Sequence, residues 1–196
     1  MLLRGNLMFK IRVFSTVILS LWLMTTSAQA TVAKALNFDE LFKQSDIVVH
    51  GWVLDQWSEA PEGLPGIIYT HTIIEVATDF KGGVNKRIEL RQIGGEIDGY
   101  TVRLSGTPHF ELGGEVVVFA GRDDDLSPFA SVGLSQGVFY VKREHDEVKL
   151  FRNLSGITFH NPVVRPFSKS PMPDRLPDLI NEVFARWSDL ILKEGE

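Results

Sequence analysis

A serine in a short glycine-flanked motif is the first candidate for chemistry in this chain. Residues Gly133-Leu134-Ser135-Gln136-Gly137 match the pattern G-x-S-x-G, which in serine hydrolases places the nucleophile on a sharp turn between a strand and a helix. The next six residues have the β-branched and aromatic composition of a strand, and Gly137 does not favour a helix start. We therefore expect Ser135 to lie in a turn or bulge; a catalytic serine assisted by a histidine such as His160 is the alternative.

The histidines and acidic residues show no metal-binding spacing. The five histidines form no H-x-x-x-H pair, and no cysteine is present to complete a zinc site. His71 and Glu75 share one face of a predicted strand, but residues four apart in a strand are separated by about 13 Å, so we expect a solvated face there. Asp123-Asp124-Asp125 lacks the glycine and terminal glutamate of a calcium loop and is interpreted as an exposed turn. The sequence predicts no catalytic residue, no metal and no cofactor.

The segment from Gly94 to Gly114 is the best candidate for ligand binding. It is long for a simple connection, and its glycines would let a ligand approach the backbone closely. Long loops on a rigid scaffold commonly carry binding residues. The candidate ligand-binding side chains are Glu96, Tyr100, Arg103, His109 and Phe110. A structural loop that caps one end of the fold is the alternative.

These residues must be positioned by a mainly β scaffold. Asn37 and Glu40 have the spacing of a capping box, which predicts a short helix over Phe38–Gln44. Segments of alternating or β-branched residues then predict six strands. These cover residues 47–54, 67–80, 87–91, 115–120, 137–143 and 148–153.

Three local features refine the strand prediction. Gly51 marks a bend or bulge in the first strand, and residues 61–66, with two prolines and two glycines, form a loop before the second. Residues 115–120 are the most apolar strand of the domain. We expect that strand to be central and covered on both faces.

A second helix is predicted over residues 176–193. Its apolar residues recur at the 3, 4 and 7 spacing of one helix face, and Asp174 is a plausible N-cap. We expect this amphipathic helix to pack on the β scaffold; a partner-binding or membrane-surface helix is the alternative. Residues 161–175 contain four prolines and are interpreted as an extended connector.

The first thirty residues have the features of a secretory signal peptide. Three basic residues precede an apolar run over residues 13–24, and Ala28-Gln29-Ala30 offers the small-x-small pattern of a cleavage site. Cleavage after Ala30 predicts a periplasmic or secreted protein without a transmembrane anchor. A retained transmembrane helix is the alternative, although the run is short for one.

Composition narrows the partners and the number of domains. Residues 1–30 hold three of the 20 basic residues and none of the 25 acidic ones, so their removal changes the net charge from −5 to −8. With no basic block, we expect no nucleic-acid partner. The remaining chain fits one domain, with its β scaffold over residues 31–160. Because the chain has no cysteine, an exported domain must be held together by burial alone, which the 44% apolar content allows.

The order of elements suits a small closed β-barrel such as an OB-fold, with a short N-terminal helix and a C-terminal amphipathic helix. The chain from Phe38 to Gly51 resembles the opening of a netrin-like domain, the fold of the tissue inhibitors of metalloproteinases, where a helix leads into a-D-x-V-h-x-G-x-V. Residues 67–90 are similar to the long second strand, K-G turn and third strand of that family. The chain also resembles a group of uncharacterised exported bacterial proteins that share this opening and a loop like Gly94-Gly95.

The resemblance implies a netrin-like barrel but transfers no functional residue. In the inhibitors, an N-terminal cysteine chelates the zinc of the protease, whereas this chain offers Thr31 and no disulfide. We therefore predict an exported, non-enzymatic binding or interaction module that engages a protein or a cell-envelope component through loops at one barrel end. The alternatives are a serine hydrolase using Ser135, a netrin-like protease inhibitor and a structural envelope component.

Overall fold

The described residues form a mainly β structure with two α-helices. A computed structural model describes residues 31–145, 147–160 and 172–194, with side chains as far as residue 186 in the last helix. The predicted signal peptide and residues 161–171 of the predicted connector lie outside the described residues, so both remain predictions. Within the described residues, neither helix is both long enough and apolar enough to cross a membrane.

Eleven strands, two α-helices and one 3₁₀ helix are present within the described residues. The strands are β1 (Thr31–Ala33), β2 (Ile47–Glu59), β3 (Tyr69–Lys81), β4 (Arg87–Ile93), β5 (Gly95–Ile97), β6 (Tyr100–Val102), β7 (Glu115–Gly121), β8 (Ala130–Ser131), β9 (Val138–Glu144), β10 (Glu147–Phe151) and β11 (Ile157–Phe159). The helices are α1 (Phe38–Gln44) and α2 (Leu176–Glu194), and a 3₁₀ helix covers Leu134–Gly137.

Helix α1 forms where the capping box predicts it. The Asn37 side chain accepts a hydrogen bond from the Glu40 backbone N–H at 2.9 Å, and the Glu40 carboxylate accepts one from the Asn37 N–H at 2.9 Å. These two bonds satisfy backbone donors that the first turn of a helix otherwise leaves free. The helix buries Phe38, Leu41 and Phe42 against the sheet.

Most strands join in one largely antiparallel sheet. Its order is β10-β9-β7-β2-β3-β4, and β8 pairs with β7 beside this path. The six predicted strands are all present, as β2, β3, β4, β7, β9 and β10. The largest difference is in β2, which was predicted over residues 47–54 and continues to Glu59, because its polar second half pairs with β3 as far as Tyr69.

No sheet of the described residues closes into a barrel, and the closed barrel stays a prediction. The free edge of β4 nevertheless meets the segment just before β8. The Arg91 N–H donates to the Phe129 carbonyl at 2.8 Å, and the Phe129 N–H donates to the Glu89 carbonyl at 2.9 Å. These bonds make a parallel bridge between Leu90 and Phe129.

Strand β7 separates two apolar clusters, as predicted for the most apolar strand. Val116, Val118 and Ala120 belong to the first core, which they form with residues of β2, β3 and β4, whereas Val117 and Phe119 belong to the second core. Helices α1 and α2 cover the second core, in which Leu179 and Val183 of α2 are fully buried. The alternation places one core on each face of the sheet.

Gly51 makes the predicted irregularity in β2. The register with β3 shifts between His50 and Gly51. A Cβ at Gly51 would lie 2.1 Å from the carbonyl oxygen of Glu75, so the close approach of the two strands requires glycine at this position.

A half-buried carboxylate links three neighbouring strands beside the second core. Glu115 of β7 receives hydrogen bonds from His50 of β2 at 2.7 Å and from Arg143 of β9 at 2.6 and 2.8 Å. Burial alone would raise the pKa of Glu115, but the bonds from Arg143 and His50 outweigh this effect and hold the pKa below its ordinary value.

Leu179→Ala should destabilise the protein by about 2 to 5 kcal/mol, because it opens a cavity where α2 packs on the sheet. Leu126→Ala is the matched control, since Leu126 is 97% exposed and its truncation should cost less than about 0.5 kcal/mol. Denaturant unfolding measures both values. Equal losses would show that α2 is not part of the core.

Glu115→Gln should reduce the free energy of unfolding at pH 7 by about 1 to 3 kcal/mol, since it removes charge-assisted hydrogen bonds. The folded-state pKa of Glu115 is lowered, so its contribution is present above the unfolded-state pKa of about 4.3 and is lost as pH falls through the folded-state value. The difference in unfolding free energy between wild type and variant should therefore narrow as the pH falls from 7 to 3. A difference independent of pH would contradict the assignment.

Candidate functional site

An open cavity of about 980 Å³ lies where β2 ends and β3 begins. This volume is in the range of small-molecule sites, which commonly occur at the mouths of β structures. Its walls come from the second half of β2, the start of β3, the end of β4 and the chain from Gly94 to Phe110. Ser155 and Gly156, just before β11, complete the rim.

Polar side chains replace the apolar core on the sheet face beneath the cavity. Ile74 of β3 and Leu90 of β4 belong to the first core, and the two-residue alternation of strands places Thr72, Thr70 and Gln92 on the same face. Gln56 and Ser58 of β2 lie opposite Thr72 and Thr70. The inner face of the sheet therefore changes from apolar to polar towards this end.

These polar groups are held by local hydrogen bonds. The Gln56 amide donates to the Thr72 hydroxyl at 3.0 Å, and the Thr70 hydroxyl donates to the Gly94 carbonyl at 2.7 Å. The Gln92 amide reaches the Pro108 carbonyl only at 3.3 Å. The side chains are thus positioned, and their remaining donors and acceptors are available to a ligand.

A β-hairpin forms one wall, in place of the plain loop expected between Gly94 and Gly114. Strands β5 and β6 pair through a two-residue turn at Asp98 and Gly99, whose φ angles of 51° and 80° fit a type I′ hairpin. The Asp-Gly pair was the sequence signal for this hairpin. The hairpin packs so closely on β2 and β3 at Gly95 that a Cβ there would lie 2.6 Å from the Ser58 hydroxyl and 2.7 Å from the Thr70 hydroxyl.

The structure brings together four of the five predicted ligand-binding residues. Glu96, Arg103, His109 and Phe110 line the cavity, whereas Tyr100 lies outside its lining and is 78% exposed on β6. Phe110 is buried within the first core and forms part of the cavity wall, so its main contribution is packing. The Arg103 guanidinium makes no hydrogen bond or ion pair within the described part of the chain.

Trp57 is among the lining residues, but its ring lies on the face of the sheet opposite Gln56 and Ser58, where it stacks on His71. Its ring lies parallel to the His71 imidazole, with centroids 5.0 Å apart and planes 8° apart, and the residue stays 41% exposed. His71 Nδ1 lies 2.6 Å from the Glu89 carboxylate, and Nε2 lies 3.5 Å from the Glu59 carboxylate without a hydrogen-bond partner among the described residues.

The expectation of a solvated strand face at His71 is wrong. His71 is only 6% exposed, because Trp57 pairs with it across the strands and covers its ring. Glu75, by contrast, is exposed as expected. Periodicity within β3 alone could not reveal this, since the covering residue belongs to the unpredicted second half of β2.

Ser135 does not fit a nucleophile elbow. It lies in the 3₁₀ helix between β8 and β9, is buried, and donates its hydroxyl to the Gly106 carbonyl at 2.5 Å. Gly106 is part of the cavity wall, so this hydrogen bond connects that wall to the 3₁₀ helix. The neighbouring Gln136 binds the N-terminal segment in the same way: its side-chain oxygen accepts from the Leu36 N–H at 2.8 Å, and its amide donates to the Lys34 carbonyl at 3.0 Å.

The carboxylates of Asp124 and Asp125 in the turn after β7 are paired within the turn itself. Asp124 accepts bonds from the Ser127 hydroxyl and from the N–H groups of Leu126 and Ser127, and these lower its pKa. Asp125 pairs with Arg122 at 2.7 Å. Over the described ranges, no three histidine, aspartate or glutamate side chains are grouped as metal ligands.

Comparison with known proteins gives no match for this chain. No family model matches the sequence, and neither the curated proteins nor the solved structures show a significant similarity to it. The cavity therefore has to be interpreted from its own geometry.

Gly95→Ala should displace the β5–β6 hairpin from the sheet, because the new methyl group would overlap the Ser58 and Thr70 hydroxyls. Gly83→Ala is the matched control, since Gly83 also has a positive φ but has open space around it. We expect Gly95→Ala to cost about 1 to 3 kcal/mol more than the control in denaturant unfolding, with faster hydrogen exchange at the β6 amides. Similar losses for the two variants would contradict this packing.

Proposed function

We propose that this chain is an exported, non-enzymatic binding module with an OB-like, netrin-like barrel, and that the cavity at one end of the sheet engages a cell-envelope component. The observation that carries the proposal is the cavity itself. The chain has no disulfide, so its fold depends on apolar burial. Nevertheless, the polar side chains of Gln56, Thr70 and Gln92 stand where the first core would otherwise extend. Such an arrangement lowers packing energy and is expected where a ligand is bound.

Strand connectivity supports the barrel part of the proposal. β2 pairs with both β3 and β7, and the bridge between Leu90 and Phe129 brings β4 next to the segment that pairs with β7 through β8. These pairings, taken in a ring, support a small barrel with one short closing segment. The polar inner face would then lie at one open end of that barrel.

Export is supported by the sequence of residues 1–30, and the lack of cysteine is compatible with it. The two apolar clusters hold the described fold together without any cysteine, which suits an oxidising compartment as well as a reducing one.

A serine hydrolase is the weaker proposal, because Ser135 is buried and its hydroxyl is used in holding Gly106. A structural role through the C-terminal helix is also weaker, since Leu176, Leu179 and Val183 of α2 already pack in the second core. No contact in the described structure favours protease inhibition over other binding roles.

The mature protein, labelled with ¹⁵N and titrated with protein, glycan and lipid fractions of a cell envelope, should locate the binding site. At least one fraction should shift the amide signals of Gly94, Gly95, Gly106 and Gly156, which line the cavity, and leave those of Gly63 and Gly83 unchanged. Gly83 lines a separate small cavity and so reports on non-specific binding. If no fraction shifts the four cavity glycines, the proposal fails.

Arg103→Ala should weaken that binding about tenfold or more, because a charge-assisted hydrogen bond to a ligand is worth roughly 1.5 to 3 kcal/mol. Arg122→Ala is the control, since Arg122 lies outside the proposed site, over the Phe129 ring and paired with Asp125. Both affinities come from the same amide titration. Equal weakening by the two variants would indicate general electrostatic attraction instead of a site.

A further inference from the structure

We infer that the second half of β2 binds an extended peptide segment of a partner protein, which adds as an antiparallel strand beside Gln56, Trp57 and Ser58. The peptide that fits this place is basic and carries an apolar residue at its centre. This inference rests on the proposed binding function and names the ligand class for the same cavity.

Strand β2 becomes a sheet edge halfway along its length. On one side, β7 pairs with it only as far as Trp52, and Val53 makes the last backbone bonds there within the described residues. On the other side, β3 pairs with it as far as Glu59. The backbone side of residues 56–59 that faces away from β3 is called the open edge. Such an edge is a template for pairing with another chain.

The backbone bonds between β3 and β4 show how the peptide groups of β3 alternate. The Gly94 N–H donates to the Ile68 carbonyl, and the Val76 N–H donates to the Lys86 carbonyl, each at 2.8 Å. In an antiparallel ladder, bonds of this kind flank a pair of residues whose own backbone groups face away from each other. The odd-numbered residues of β3 from 69 to 75 therefore direct their N–H and C=O groups to β2.

The same alternation assigns the backbone groups of the open edge. Trp57 lies opposite His71 and so bonds towards β3, whereas Gln56 and Ser58 direct their backbone groups away from β3. The Gln56 N–H donates to the Asp55 carboxylate at 2.8 Å. The Gln56 carbonyl and both backbone groups of Ser58 have no partner among the described residues. Three hydrogen-bonding groups are thus available to an added strand.

The cavity lies directly against this open edge. Gln56, Trp57 and Ser58 all line it, although successive side chains of a strand point to opposite faces, so the cavity reaches the backbone that they share. A strand added there would place alternate side chains into the cavity beside Gln56 and Ser58. Its other side chains would lie on the outer face, beside the Trp57 ring. Recognition by strand addition works in this way, with affinity from the backbone and specificity from alternate side chains.

The outer face beside the open edge selects a basic peptide. Asp55, Trp57 and Glu59 share this face; both carboxylates are exposed, and Trp57 is 41% exposed. Opposite charges and aromatic–β-branched pairs across two strands are stabilising. Lysines opposite Asp55 and Glu59, with a valine opposite Trp57, meet these conditions.

The inner face selects neutral polar side chains. The peptide residues opposite Gln56 and Ser58 point into the cavity, where hydroxyl groups can pair with the Gln56 amide and the Ser58 hydroxyl. Glu96 and Arg103 contribute one charge of each sign to the cavity lining. Threonine suits these two positions, because it is polar, uncharged and favoured in strands.

The other two edges of the large sheet are covered by the protein's own chain. At β10, the Leu150 N–H donates to the Asp174 carbonyl at 2.7 Å. At β4, Phe129 makes two backbone bonds, to Glu89 and Arg91. The second half of β2 differs from both, because its outward backbone groups face the cavity and no described segment covers them.

The test is a titration of the ¹⁵N-labelled mature protein with the synthetic peptide acetyl-Gly-Lys-Thr-Val-Thr-Lys-Gly-amide. We expect saturable binding with a dissociation constant of about 1 mM or lower, with shifts at the amides of Gln56, Ser58 and Gly95 and none at Gly83. The matched control peptide has glutamates in place of both lysines. It should bind about tenfold more weakly or less, because its carboxylates face Asp55 and Glu59.

N-methylated peptides test the strand addition itself. In the antiparallel pairing, the two threonines opposite Gln56 and Ser58 direct their N–H groups to β2, and the valine directs its N–H away. N-methylation of either threonine should weaken binding about tenfold or more, whereas N-methylation of the valine should change it less than about threefold. Equal effects, or the reverse order, would overturn the inference.

A proline substitution tests the protein side of the pairing. Ser58→Pro removes the N–H that faces the open edge without removing a bond to β3, and should weaken binding about tenfold or more. Arg87→Pro is the matched control. Arg87 begins β4, its N–H also faces away from β3, and it lies outside the cavity, so binding should change less than about twofold. Thermal unfolding verifies both variants, and if Ser58→Pro does not fold, the N-methylated peptides decide with the unchanged protein.

The outcomes separate this inference from the proposed binding function. Absence of peptide binding, while an envelope fraction still shifts the cavity glycines, would overturn the inference and leave the binding function intact. Equal binding of the lysine and glutamate peptides would also overturn it. If no fraction and no peptide shifts those glycines, both proposals fail.

Discussion

Burial of β7 and the first half of β2 on both faces is the constraint on which the rest of the structure depends. The chain has no disulfide, so the two apolar clusters separated by these strands supply the main stabilisation of the fold. Val48 faces the helices and Val49 faces the opposite core, which shows that β2 is a shared wall. The first half of β2 packs in both cores, and its second half extends beyond them while still paired with β3. This second half carries Trp57 on one face and Gln56 and Ser58 on the other.

The site is formed where the first core stops. Along β3, the inner face passes from Ile74 to Thr72 and Thr70, and the hydrogen-bonding groups that replace apolar contacts are paired locally. A buried polar group is costly only when it is left unpaired, so this end of the sheet can be polar without being unstable. The arrangement gives up packing energy at the cavity and relies on the two cores elsewhere, as functional sites commonly do.

Local features of the fold could be predicted from the sequence, and features that depend on distant partners could not. The capping box of Asn37 and Glu40 and the apolar stripe of α2 are contained within a few turns of chain, and both helices form where predicted. The burial of His71 depends on Trp57, and the role of Ser135 depends on Gly106, each brought close only by the sheet. The parallel pairing of β1 with β11 joins segments more than a hundred residues apart and leaves no local signal. The hairpin at Asp98-Gly99 differs from these cases, because an Asp-Gly pair is a local turn signal that the sequence contains.

The sequence left two interpretations of the Gly94–Gly114 segment open, a binding loop and a structural cap, and the contacts show why they need not exclude each other. Separate elements hold the segment in place: the Ile68 carbonyl accepts a bond from the Gly94 N–H at 2.8 Å, and the Tyr140 hydroxyl accepts one from the His109 N–H at 3.1 Å. Ser135 holds Gly106, and the Thr31 hydroxyl donates to the Ser105 carbonyl at 2.6 Å. A loop fastened from the sheet, the 3₁₀ helix and the N-terminal strand loses little conformational entropy when it binds a ligand. The same bonds that make it a structural cap would therefore also preorganise it for the proposed binding.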